Sequence, residues 1–218
     1  DLGLVKQRLT PVDEIDRIVG GNASTQLANE IAAHAITLVR DDVKLFPLNL
    51  PANAKILNLA ITNGDDRLWI TQPFVATMAR AGRKMDTIVL DDRSSDVEVQ
   101  QAVDHAGTVN IVIVSMYGRV RSGQAGSVAL PKPGTKALMD LLDRRIPMIG
   151  ISFGNPYLLL SFPKLQTYVV AYGDMPSLQN AAARALLGQI DVTGRLPISL
   201  PGLYPRGAGI QLKALLNR

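Results

Sequence analysis

Residues 144–160 read RRIPMIGISFGNPYLLL. An apolar run, Pro147–Ser152, passes through a glycine-containing turn into a second apolar run, Pro156–Ser161. A strand that is apolar on both faces and leads directly into a helix is the repeating unit of a sheet covered on both sides. The unit recurs along the chain. Strands are expected at Ile36–Val39, Ile56–Ile61, Thr87–Leu90, Asn110–Ser115 and Thr167–Ala171. Helices are expected at Ser24–His34, Pro73–Arg83, Asp96–His105, Thr135–Arg144 and Ser177–Leu187, with Asn22 or Ser24 as the first N-cap. This alternation predicts an α/β fold, a three-layer α/β/α sandwich with a mostly parallel sheet of about six strands. One more short strand, Leu196–Ser199, is expected in the Gly- and Pro-rich tail. Residues 1–21 read as a polar connecting arm and residues 22–218 as the sandwich domain.

The chain has 218 residues, 47% hydrophobic and 19% charged, which is enough apolar material for a sizeable core. Its net charge of +4 is spread along the sequence, and Arg119-Val120-Arg121 is a short basic cluster. Aromatics make up only 5%. Nucleic-acid binding calls for a basic stripe, often with stacking aromatics, so no nucleic-acid partner is expected. The absence of cysteine excludes disulfides, thiolate catalysis and Cys-based zinc sites. It fits an exported or a cytosolic protein, with the exported setting preferred. No apolar run approaches the roughly 20 residues of a membrane span. The opening DLGLVKQRLTPVDEI reads as cut from a longer polypeptide, so the lack of a signal peptide says nothing about the parent.

Gly150-Ile151-Ser152-Phe153-Gly154 spells G-x-S-x-G at a strand-to-helix turn, the setting of a nucleophile elbow. A serine nucleophile also needs a histidine base, which in that arrangement follows it in the chain. The two histidines, His34 and His105, both precede Ser152. His34 is expected on a helix face against the core, and His105 at a helix end where the dipole favours it. The plainer reading is a tight turn in which Ser152 or Asn155 caps the short helix and Pro156 takes its first position. A serine esterase using Ser152 stays as an alternative.

Ligands of open α/β sheets bind beyond the carboxyl ends of the strands. That directs attention to the loops Thr62–Arg67, Asp91–Ser95, Met116–Pro131, Phe153–Asn155 and Tyr172–Met175. Asp91-Asp92 would suit a phospho-accepting site, but the loop Tyr172-Gly173-Asp174-Met175 offers no lysine to meet a phosphoryl group. A solvated turn with an aspartate capping the next helix is expected instead. The loop TNGDDR has one glycine and two acids and would repel a phosphate. Two histidines without H-E-x-x-H spacing give no metal site, and no cofactor is expected.

Three segments together resemble the C-terminal domain of family 3 glycoside hydrolases, especially the bacterial β-N-acetylhexosaminidase-like branch. They are IAAHAITLVRDDVKLFPL, SFGNPYLL with AYGD beyond the next strand, and AAARALLGQIDVTGRLPISLPG. The opening DLGLVKQRL is similar to the end of the barrel that precedes this domain and its linker. The resemblance implies a partner (β/α)8 barrel in the same polypeptide, which holds the saccharide and the nucleophilic aspartate. In the β-glucosidase branch it also implies a glutamate acid/base from the long loop after a central strand. Here that loop, MYGRVRSGQAGSVALP, has no carboxylate. In the hexosaminidase-like branch the acid/base lies in the barrel. No catalytic residue is therefore expected in this chain, which is read as a glycosidase's accessory second domain or a degenerate member. Arg119, Arg121, Asn155 and Asp174 are the residues expected to face the barrel or its substrate, where the arginines would meet carboxylates of a ligand; the plainer reading is a solvated loop or a salt bridge to the barrel surface. A non-enzymatic carbohydrate-binding module is the second alternative.

Overall fold

The computed structural model describes residues 19–120 and 128–215, together with positions 6, 9, 12, 15 and 123. Most of the expected connecting arm lies outside the described residues. The elements run α1 (Asn22–Ala35), β1 (Thr37–Asp41), β2 (Ile56–Thr62), α2 (Gln72–Arg80), β3 (Asp86–Leu90), α3 (Asp96–Ala106) and β4 (Ile111–Tyr117). They continue with α4 (Lys132–Asp143), β5 (Met148–Ser152), α5 (Leu158–Ser161), β6 (Thr167–Val170) and α6 (Pro176–Leu186). The six strands form one sheet in the order β1-β6-β5-β4-β2-β3. β1 pairs antiparallel with β6, and every other neighbouring pair is parallel. The expected α/β architecture with a mostly parallel sheet is the observed one.

Both faces of the sheet are covered. Phe74 and Met78 of α2, Ala32 of α1 and the alanine-rich side of α6 pack on one face. Val99 and Val103 of α3, Leu138 and Leu141 of α4, and Leu158 of α5 pack on the other. β2 and β4, adjacent interior strands of seven residues each, are buried throughout. Each fully buried Ile, Leu or Val contributes on the order of 1.5–3 kcal/mol, so these strands need no period-two pattern. Among the described residues no helix is long and apolar enough to cross a membrane.

The ends of elements depart from the sequence reading for local reasons. α1 begins after Gly21, which makes no side-chain cap, so Asn22 and Ser24 lie within its first turn. α4 and α6 start at Lys132 and Pro176, because Pro133 and Pro176 fit a first turn whose N–H groups need no helical partner. Pro156 precedes the cap of α5, Tyr157, and does not occupy its first position. Leu196–Ser199 forms no strand: Leu196 N donates to Ala208 O (2.8 Å), and the tail otherwise makes isolated bridges. Pro197 and Pro201 remove the donors a continuous ladder would require.

Gly134 sets how closely α4 seats on the sheet. A methyl group there would stand 2.1 Å from Ile61 Cγ2. Gly134→Ala is expected to destabilise the fold by about 1–3 kcal/mol despite alanine's better helix propensity. Combining it with Ile61→Ala should return part of that loss as a non-additive term in urea unfolding. Strict additivity would show that the contact does not set the spacing.

Candidate functional site

The loops after β2, β4, β5 and β6 meet at the carboxyl edge of the sheet. β2 leads to the α2 face and β4 to the α4 face, so the crevice between them is a topological switch point. Asn63 bridges that crevice. Its Nδ2 donates to Arg119 O (2.9 Å), and its Oδ1 accepts from Arg119 N (3.1 Å). The Arg119 side chain then ties that first loop a second time and adds the loop after β6. Its Nη2 donates to Asp66 Oδ2 (2.6 Å), in the loop after β2, and its Nε donates to Asp174 Oδ2, after β6. Burial would lower the guanidinium's pKa, but the two carboxylates outweigh it and raise the value above the usual one.

Behind this clamp lies a neutral layer. Gln179 of α6 is buried; its amide donates to Ile70 O (2.9 Å) and Asp174 O (2.7 Å) and accepts from Phe74 N and Tyr117 Oη (both 3.3 Å). Tyr117 stacks on Phe153 at 4.8 Å between ring centres, and Phe74 meets Phe153 edge-on at 5.7 Å. Gly154 lets the β5 and β4 loops touch, since a methyl group there would stand 2.7 Å from Gly118 O. Tyr172 takes a left-handed backbone (φ 64°), and its hydroxyl donates to Thr37 Oγ1 (2.9 Å). A non-glycine residue held there costs energy that its surroundings must offset.

The result is a cleft of about 730 Å³ lined by Arg119, Val120, Phe153, Asn155, Tyr172 and Asp174 among others. Three sequence-derived candidates, Arg119, Asn155 and Asp174, therefore share one cleft. Arg121 lies outside the described residues. Asn155 Nδ2 donates to Val128 O (3.1 Å), and its Oδ1 accepts from Tyr157 N (2.9 Å), which fixes the turn into α5. Leu68 and Trp69, in the loop after β2, are 78% and 65% exposed, and Val120 of the cleft lining and Met175 are also exposed. Sequence reading missed Asn63, Asp66 and Gln179. Asp66 was visible as an acid in TNGDDR, and Gln179 as the polar residue of an otherwise apolar helix stripe.

Ser152 is fully buried, and its hydroxyl donates to Asn155 O (2.8 Å). His34 is exposed, not packed on the core, with Nδ1 3.5 Å from Thr193 Oγ1. His105 pairs with Asp86 at 3.0 Å. Among the described residues no cluster of three His, Asp or Glu could hold a metal ion.

Asp91 is not the solvated cap that the sequence suggested. It is 2% exposed and accepts from Arg93 N (2.9 Å), Arg93 Nη2 (2.6 Å) and Arg67 Nη1 (3.4 Å). Ser95 caps α3 instead, in a reciprocal box with Glu98. Burial alone would raise the Asp91 pKa, but hydrogen bonds from the Arg93 side chain and backbone, with the Arg67 and Arg93 charges, hold it below the usual value. The Ser95 backbone N–H, Arg67 and the Ser95 hydroxyl hold Glu98 down to about 2.

No protein-family model matches the chain. The chain is similar over 203 residues, at 22% identity, to a β-N-acetylglucosaminidase/β-glucosidase of Cellulomonas fimi, covering 90% of this chain and 36% of that protein. Among solved structures it superposes on a β-glucoside phosphorylase, BglX, with a TM-score of 0.71 and 24% identity, covering 90% of this chain and 35% of that one. It also superposes on a family 3 β-N-acetylglucosaminidase from Paenibacillus sp. str. FPU-7, with a TM-score of 0.68 and 21% identity, covering 84% and 34%. The chain thus spans about a third of the length of these relatives. It is similar to one part of family 3 glycoside hydrolases and fits a C-terminal domain of such an enzyme, with the α/β fold in common.

The Asp91–Arg93–Arg67–Glu98 cluster yields a pH prediction. Both carboxyl pKa values are depressed on folding, so the stabilisation is complete above the ordinary carboxylate range and fades as pH falls through it. Asp91→Asn should lower stability at pH 7, and its deficit against wild type should narrow in urea unfolding at pH 4 and again at pH 2.5. A deficit independent of pH would contradict the assignment.

Proposed function

We propose that this chain is the accessory second domain of a family 3-type glycoside hydrolase acting on β-glycosides, with β-N-acetylhexosaminides as its substrate class. Its carboxyl-edge loops pack against a (β/α)8 barrel in the same polypeptide and shape the entrance to the saccharide site. It supplies no catalytic group. The observation that carries the reading is similarity along nine-tenths of this chain to about a third of a glycosidase's length. Retaining glycoside hydrolysis needs two carboxyl-type groups flanking the scissile bond. The loop after β4 has no acid, and Asp66 and Asp174 at its flanks are engaged by Arg119.

Arg119 is better suited to holding the entrance loops than to gripping an anionic ligand, because two carboxylates already share its guanidinium. Asn155 and Asp174 then act as parts of a rigid rim. Arg121, two residues after Arg119 in the sequence, is the arginine proposed to face the barrel or the substrate. Residues 1–21 are proposed as the arm that joins the two domains.

The serine esterase alternative requires an accessible Ser152 beside a base. A fluorophosphonate probe is expected to leave the folded chain unlabelled; stoichiometric labelling at Ser152 would establish the esterase instead. The chain alone is expected not to cleave a chromogenic N-acetyl-β-glucosaminide, whereas the polypeptide that includes the barrel is expected to do so. In that longer protein Arg119→Ala should lower kcat/KM about tenfold or more, since loop misplacement far from the chemistry can cost as much as 100-fold. Turnover by the chain alone, or unchanged kcat/KM in the variant, would overturn the proposal.

A further inference from the structure

We propose that a second cleft, at the opposite or amino edge of the sheet, binds a small amphipathic anion: an apolar body of medium-chain acyl size carrying one anionic head. This inference stands apart from the glycosidase reading, because the cleft lies among the segments that enter β5 and β6. Its volume is about 670 Å³, within the usual range for small-molecule sites. Val43, Leu45, Leu142, Ile146 and Met148 supply apolar walls, and Arg145, Asp143, Lys164 and Gln166 line the remainder.

The charges select the head group. Arg144 pairs with Asp104 (3.6 Å), and Lys164 pairs with Asp143 (2.8 Å). Among the described residues Arg145 has neither an ion-pair nor a side-chain hydrogen-bond partner. An unpaired guanidinium in a cavity of mixed lining, whose Asp143 and Lys164 already neutralise each other, favours a carboxylate or sulfonate head over a neutral one.

The backbone strengthens the case. Arg145 closes α4 in a left-handed conformation (φ 56°), its N–H donating to Leu142 O (3.1 Å) while Ile146 N–H donates to Leu141 O (3.2 Å). Glycine is the ordinary residue for that closure. Lys44, between two wall residues, is also left-handed (φ 55°). Two cations therefore occupy conformations that glycine would fill at lower cost, one lining the cleft and the other between two residues that line it. A cation at a helix C-terminus also suits the helix dipole. That explanation predicts no ligand, so binding separates the two.

Isothermal titration calorimetry of the chain with sodium octanoate, octanol and octylamine tests the proposal. Octanoate is expected to bind saturably, one per chain, with octanol weaker and octylamine weaker still. Arg145→Gly should weaken octanoate about tenfold or more. Its Tm should be unchanged or higher, because glycine fits the positive φ. Val43→Trp, which fills the mouth and keeps every charge, should abolish binding of both octanoate and octanol. No saturable octanoate binding, equal affinities for octanoate and octylamine, or wild-type affinity in Arg145→Gly would each overturn the assignment.

Discussion

At the carboxyl edge of the sheet, one guanidinium holds three loops. Arg119 is tied through its backbone to Asn63 and through its side chain to Asp66 and Asp174, so the connections after β2, β4 and β6 share one anchor. Asn63 directly follows β2 and Asp174 lies two residues before α6, which limits how far either can move. Without the arginine, two partly buried carboxylates would face each other with no compensating charge, an arrangement more costly than never having placed them there. The neutral layer beneath the clamp depends on the same geometry: Gln179 reaches both Asp174 O and Ile70 O because the loops are already gathered.

This arrangement bears on what the edge can do. A free arginine in a cleft invites an anion, but an arginine between two carboxylates is a structural tie with one net negative charge around it. The cleft's remaining surface is mostly aromatic and aliphatic, with Asn155 its polar member, and Leu68, Trp69 and Met175 of the loops after β2 and β6 are exposed. A rigid, partly apolar rim suits contact with another domain better than chemistry of its own. That accords with a chain spanning about a third of its glycosidase relatives and with the accessory role proposed for it.

The layer architecture was legible in the sequence because doubly covered strands carry runs such as NIVIVS and PMIGIS, which few other environments tolerate. The loops that gather at the edge were legible too, since the carboxyl ends of parallel strands follow from strand order alone. Less legible were features decided by partners distant in the chain. Asp91 looks like a helix cap until Arg67, 24 residues earlier, joins Arg93 in burying its charge. Likewise, Arg119 reads as a free basic residue until Asp66 and Asp174, 53 and 55 residues away, close on it. Leu196–Ser199 has the composition of a strand, but Pro197 within it and Pro201 just beyond leave it no ladder. His34 shows how little a single residue reveals: α1 buries only Ala32, so most of its length faces outward.

Amide hydrogen exchange measured on the chain alone and on the polypeptide that includes the proposed barrel tests the central claim most directly. The account predicts that joining the two protects amides in residues 63–70, 118–120, 153–157 and 172–175, while those around Arg145 exchange at unchanged rates. Unchanged exchange at the carboxyl edge, or protection confined to the amino edge, would contradict it.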